Sequence, residues 1–153
     1  MTLKKSKRWQ GYLLIILILM FLGAKAYSWH WPSGHIQING HNLKVLVARD
    51  YGHWVRGLGG RADLGKYDGM LFLFPTTEQH SFVMRDMKFP LDIVWFDGGT
   101  VVDIAPNVPT EPDETESTLT QYPARLPSNS VLELPAGGAE RFGIKIGDRF
   151  SAK

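Results

Sequence analysis

The sequence predicts a mainly β (β-rich α+β) protein: one small, closed or partly closed β-barrel-like domain with short helices, preceded by an N-terminal hydrophobic signal or anchor segment. Three observations lead there. Short apolar runs recur down the chain with turn signals between them at close spacing, the pattern of a barrel or sandwich rather than of βαβ units. The 153 residues have room for about one core, which rules out a multidomain enzyme. A content of 44% hydrophobic and 21% charged residues is the balance of a chain that buries such a core. The sequence holds no cysteine, so disulfides, thiolate metal sites and cysteine nucleophiles are excluded and stability must come from packing.

Residues 1–26 read as an address. Lys4, Lys5, Lys7 and Arg8 precede the uncharged stretch Gly11 to Ala24, as a basic n-region precedes an apolar h-region. Its length favours a cleaved signal, since a span takes about 20 apolar residues, and Ala24-Lys25-Ala26 has the small-x-small form of a cleavage site. If left uncleaved, residues 9–26 with Trp9 and Tyr12 as interfacial anchors would tether the chain to the inner membrane, its basic end inside. Either route leads to an exported, periplasmic or extracytoplasmic domain. The leader also holds five of the 17 basic groups and none of the 15 acids, so the remainder carries a formal charge of about −3. A nucleic-acid binder needs its cations on the folded domain, so nucleic acid is discounted as a partner.

Residues 27–34, with Trp29, His30, Trp31 and Pro32, form an aromatic linker, and residues 35–153 form the domain. His35 to Asn39 alternates with period two, Asn39-Gly40 is a tight-turn signal, and Leu43 to Val47 follows, which predicts a hairpin. Asp50 caps a short helical turn through Val55, stopped by the glycines at 57, 59 and 60. Met70 to Phe74, ended by Pro75, and the run begun by Phe82-Val83-Met84 read as buried strands. Leu91 to Phe96 and Thr100 to Ile104 flank Asp97-Gly98-Gly99 as a second hairpin. Ser130 to Leu134 is a further strand, Ala136 to Phe142 makes one or two helical turns, and Ile144 to Phe150 closes the domain as a strand. Between Pro106 and Asn129 lie five prolines and the acids Glu111, Asp113, Glu114 and Glu116 without periodicity. This stretch reads as mobile surface, with a functional lid as the alternative.

No Gly-x-Ser-x-Gly elbow, His-Glu-x-x-His, phosphate loop or dinucleotide fingerprint is present. The candidates for chemistry are Arg56, His80, Met84, Arg85, Asp92 and Glu133. His80 and Ser81 are adjacent, but neighbours on a strand point to opposite faces, which argues against proton transfer between them. His80 and Met84, with Met87 nearby, are the candidate soft ligands for copper, although methionine is also ordinary core filling. Asp92 and Glu133 stand inside apolar runs. Each needs a partner if buried, with Arg56 and Arg85 available, or else faces solvent on a half-exposed strand.

These segments resemble a family of uncharacterised bacterial and archaeal proteins known as domain of unknown function 192. The similarity is carried by Arg56-Gly57-Leu58, Asp68 to Pro75, His80 to Arg85, Pro90 to Val94, Val131 to Gly137 and Gly143 to Asp148, in the expected order. The resemblance implies a compact β-barrel-like domain with short helices, often behind a signal sequence, and no established activity. Two positions depart from the family pattern: Gly59 replaces a usual methionine and Val83 a usual aromatic, which would alter the apolar lining of a groove.

Three readings of function follow. The preferred one is a non-catalytic, cofactor-free binding or accessory module of the cell envelope, presenting a groove near Arg56, His80, Met84, Arg85, Asp92 and Glu133 to a small molecule or an envelope protein. The second is a small envelope hydrolase with His80 as general base and Asp92 as its orienter. The third is copper or other metal handling through His80 and Met84.

Overall fold

The computed structural model describes residues 6–28 and 31–152, with side chains placed from 9 to 23 and from 31 to 152. Lys4 and Lys5 of the basic cluster and Trp29 and His30 of the linker lie outside the described residues, and the side chains of Lys7, Arg8 and the Ala24-Lys25-Ala26 site are not placed. The chain divides into two units at Trp31/Pro32.

The first unit is the helix α1 (Ser6–Ser28). Its side chains from Leu13 to Leu22 are all exposed, a ten-residue apolar run. At about 1.5 Å rise per residue this run covers roughly half of a bilayer's hydrocarbon core. Among the described residues no helix is long and apolar enough to cross a membrane.

The second unit contains β1 (Ser33–Ile38), β2 (His41–Ala48), α2 (Tyr51–Arg56), β3 (Gly69–Glu78), β4 (Ser81–Phe82), β5 (Leu91–Asp97), β6 (Thr100–Val108), β7 (Tyr122–Pro123), β8 (Ser128–Pro135), α3 (Gly138–Arg141) and β9 (Phe150–Ala152). Seven strands form one curled sheet in the order β6-β5-β8-β3-β2-β1-β9, and β4 pairs with β7 separately. Among the described residues only β2 and β3 pair in parallel. The domain is therefore mainly β, a half-barrel rather than a fully closed one. Where it curls round, the start of β6 meets the segment leading into β9: Val101 N–H donates to Asp148 O at 2.8 Å and Phe150 N–H to Gly99 O at 2.9 Å.

Both expected hairpins form for the expected reason. Asn39 and Gly40 take φ of 49° and 79°, and Gly98 and Gly99 take 53° and 80°, the paired left-handed conformations that match the twist of two-residue hairpins. Asp50 accepts from His53 N–H at 3.0 Å and so caps α2.

Other boundaries differ from the sequence expectation. β3 continues through Pro75 to Glu78, because its ladder with β8 is interrupted between Leu73 and Glu78 and the missing proline N–H costs no bond there. β6 runs on through Pro106 to Val108 past a bulge opposite Leu91 to Ile93, and β8 already begins at Ser128, which shortens the acidic connection at both ends. The run after Phe82 is not a strand, since β4 stops at that residue. Ile144 to Asp148 is a turn rather than a strand, and Arg149 forms a single bridge to Thr100: Gly147 has φ 94°, and Asp148 Oδ2 accepts from Lys145 N–H at 2.8 Å and from Asn39 Nδ2 at 2.7 Å.

Strand alternation gives the central strands β3, β8 and β5 two buried faces. Leu71, Leu132, Leu134, Val94 and Phe96 join Ile36, Ile38, Leu43, Val45 and Val101 in the core within the curl. Met70, Phe72, Val131, Ile93 and Trp95 point the other way and are also buried. Gly69 permits the close approach of β3 to β8, because a Cβ there would overlap the Glu133 carbonyl oxygen and stand 2.9 Å from Leu134 Cδ2.

Candidate functional site

β8 brings an ionisable side chain into the middle of the second apolar face. Glu133 of β8 lies directly opposite Met70 on β3 and Ile93 on β5, in the middle of three packed strands. It is 5% exposed, and its Oε2 has no hydrogen-bond partner. Burial alone pushes its carboxyl up to about 8, because no neighbouring charge or donor compensates the lost hydration. Glu133 reaches a cleft of about 260 Å³ whose lining includes several aromatic rings. Phe72 and Phe74 follow from β3, Phe82 from β4 and Trp54 from α2. Phe74 sits at the centre of the cluster, 5.2 Å from Trp54, 6.4 Å from Phe82 and stacked on the His80 ring at 3.7 Å, while Phe82 meets Phe72 edge-on at 5.0 Å.

Each wall is fixed from behind. Trp54 Nε1 donates to Ala48 O at 3.2 Å, which holds α2 against the end of β2. The His80 carbonyl accepts from Trp95 Nε1 and from Ala124 N–H, each at 3.2 Å, so the β3–β4 turn is pinned to both β5 and the chain after β7. The His80 ring Nε2 lies 3.4 Å from Thr76 O. Gly59 lets the rim close up: a Cβ there would stand 2.9 Å from Arg85 O, and the adjacent Gly60 N–H donates to Asp86 O at 2.9 Å.

Of the six residues singled out from the sequence, Arg56, His80, Arg85 and Glu133 line this cleft. Asp92 and Met84 do not. Asp92 is 1% exposed and ties three elements together, accepting from Asn107 N–H at the β6 bulge and from Ala139 N–H at the start of α3, both at 2.8 Å. The two backbone donors satisfy it. His80 and Asp92 therefore share no hydrogen bond, and the base–orienter pair of the hydrolase reading is not assembled. Met84 is 1% exposed and does not line the cleft. Among the described residues no three His, Asp or Glu side chains are grouped to hold a metal ion.

The arginines also serve otherwise than as counter-ions to the buried acids. Arg85 forms a two-pronged ion pair with Glu116 and donates to Val55 O at 2.9 Å. This pairing holds the Glu116 carboxyl below its ordinary range and raises Arg85. Arg56 is exposed at the mouth. The acidic connection is thus docked through Glu116, and Glu111 accepts from Thr120 N–H at 2.9 Å and from Tyr122 Oη at 3.4 Å. Sequence reasoning missed Trp54, Phe72, Phe74 and Phe82, although Phe72 and Phe74 at period two on one strand already carried part of the signal.

Two solved structures are similar to this chain. One, a protein from Sinorhizobium meliloti described as a "putative transcription regulator", has 29% identity and a TM-score of 0.71 over 80% of this chain and 95% of its own. The other, a protein of unknown function from Novosphingobium aromaticivorans, has 32% identity and a TM-score of 0.68 over 78% and 84%. No curated protein matches. The model of the family DUF192 (Uncharacterized ACR, COG1430) matches residues 34–152, the whole of the half-barrel, and the chain belongs to that family.

Proposed function

We propose that the half-barrel is a small-ligand-binding module of the cell envelope, exported by its N-terminal segment, and that the aromatic cleft over Glu133 is its site. The observation that carries this reading is the unpartnered carboxyl. A buried polar group without a hydrogen bond costs about 1 to 3 kcal/mol, and a ligand that donates to Glu133 would recover that cost. The cleft's size suits a ligand of about one ring, and its walls combine flat apolar contact with the polar groups of Arg56, His80, Ser81, Arg85 and Glu133. A nucleic-acid role, suggested by the description of the Sinorhizobium protein, finds little support in a domain with about three more acids than bases.

Protein-observed NMR with a panel of single-ring fragments of positive, negative and zero charge tests the binding reading. Shifts confined to Trp54, Phe74, His80 and Phe82 support it, and silence at those residues for every fragment rejects it. Export rests on the exposed apolar run of α1 next to the basic cluster. Mass spectrometry of envelope fractions should find either loss of residues 1–26 or an intact, membrane-bound chain. An intact chain in the cytosol would refute it.

A further inference from the structure

We propose that the cleft takes a small organic ammonium ion, whose N–H donates to the Glu133 carboxylate while its positive charge rests against the faces of Trp54, Phe72, Phe74 and Phe82. This deepens the small-ligand reading and depends on it. Two independent features of the lining point to positive charge. Aromatic faces carry negative quadrupole density and attract cations within about 6 Å, and four such rings line the cleft. Glu133 Oε2 lacks a donor, and an N–H of the ligand supplies one. The ring faces disfavour an anion.

The charged and titratable groups around the cleft leave room for this charge. Arg56 from α2, Arg85 from the segment after β4, His80 from the β3–β4 turn and Tyr51 at the start of α2 line it. β3 contributes only Phe72 and Phe74, and on β5 the charged Asp92 is turned to Asn107 and Ala139. Arg85 is neutralised by Glu116, with Glu111 and Glu114 bordering the adjacent cleft. Arg56 is exposed, where physiological salt screens it beyond about 8 Å. Neither guanidinium influences the Glu133 carboxyl, whose elevation has burial as its only cause.

Binding is then coupled to a proton. In the free protein Glu133 is protonated at neutral pH. The ammonium ion pairs with the carboxylate, and the displaced proton goes to solvent. The affinity must rise with pH until the free carboxyl ionises, near 8.

Calorimetric titration of the full chain with benzylammonium chloride and with benzyl alcohol, at pH 6 and pH 8, tests this. Benzylammonium stays protonated across that range. Its affinity should rise about fiftyfold between the two values, as a carboxyl titrating near 8 requires, while that of benzyl alcohol stays flat. Glu133→Gln, which keeps the side chain's size, should bind benzylammonium at least tenfold more weakly at pH 8 and lose the pH dependence. Phe74→Leu removes a ring face without touching the carboxyl and should weaken benzylammonium more than benzyl alcohol. A flat wild-type profile, or benzyl alcohol bound as tightly as benzylammonium at pH 8, overturns the inference. If benzyl alcohol alone binds, the ammonium specificity fails and the small-ligand reading stands. If neither probe nor any fragment of the NMR panel binds, the small-ligand reading falls with it.

Discussion

Replacing Glu133 by glutamine should stabilise the domain, and by an amount that depends on pH. In the unfolded chain this carboxyl ionises near 4.5, and in the fold near 8. Between those values the folded state holds a proton that the unfolded state has released, so stability falls as pH rises, by about 1.4 kcal/mol per unit. Relative to pH 4.5, wild type loses about 3 kcal/mol by pH 7 and about 4 kcal/mol by pH 8, above which the loss levels off. Glutamine does not titrate. It still leaves a polar group in an apolar place, but that constant offset does not change with pH.

Urea denaturation of wild type and Glu133→Gln from pH 4.5 to 8.5 isolates the effect. The difference between the two stabilities should widen by about 3 kcal/mol up to pH 7, a relative shift in Tm of about 10 °C for a domain of this size. Taking the difference removes the opposing carboxylates. Burial works against the charge of Asp103, but hydrogen bonds from Arg125 outweigh it and hold that carboxyl low, as His53 N–H does for Asp50 and the Asn39 amide for Asp148. These groups favour the fold above the ordinary carboxylate range and lose that contribution as pH falls through their depressed values. Parallel wild-type and variant curves would refute the reasoning, since they would mean that Glu133 is solvated or paired in solution.

Asp92→Ala strands two backbone N–H groups, those of Asn107 and Ala139. It should cost about 2 to 4 kcal/mol by denaturant midpoint. Gly69→Ala forces a Cβ into the Glu133 carbonyl and should destabilise by about 3 kcal/mol, with hydrogen exchange accelerated along the β3–β8 ladder. Glu116→Gln breaks the ion pair with Arg85. Limited proteolysis should then cut faster between residues 109 and 121, and an unchanged cutting rate would mean that Glu111 and Tyr122 hold the connection without it.

Local signals decided the turns and their strands, because a two-residue hairpin depends on residues that tolerate positive φ and on nothing distant. Asn39-Gly40 and Gly98-Gly99 are of this kind, and so is the Asp50 cap. The family resemblance was legible for the same reason, in ordered short segments that the half-barrel later assembles. What the sequence left open is whatever depends on two sides of a strand. Asp92 and Glu133 look alike in the chain, one acid each in an apolar run, yet Asp92 meets two backbone donors and Glu133 meets none. That difference arises from a bulge in β6 and the start of α3, neither of which periodicity can place. The strand expected from Ile144 to Phe150 failed likewise, because Asp148 is claimed by Asn39 across the sheet. The chain alone determined the two hairpins, and the pairings between distant strands were set by the fold. Tertiary structure decided which buried acid is satisfied and which one waits at the bottom of an aromatic cleft, since a carboxyl's charge state depends on the donors brought near it.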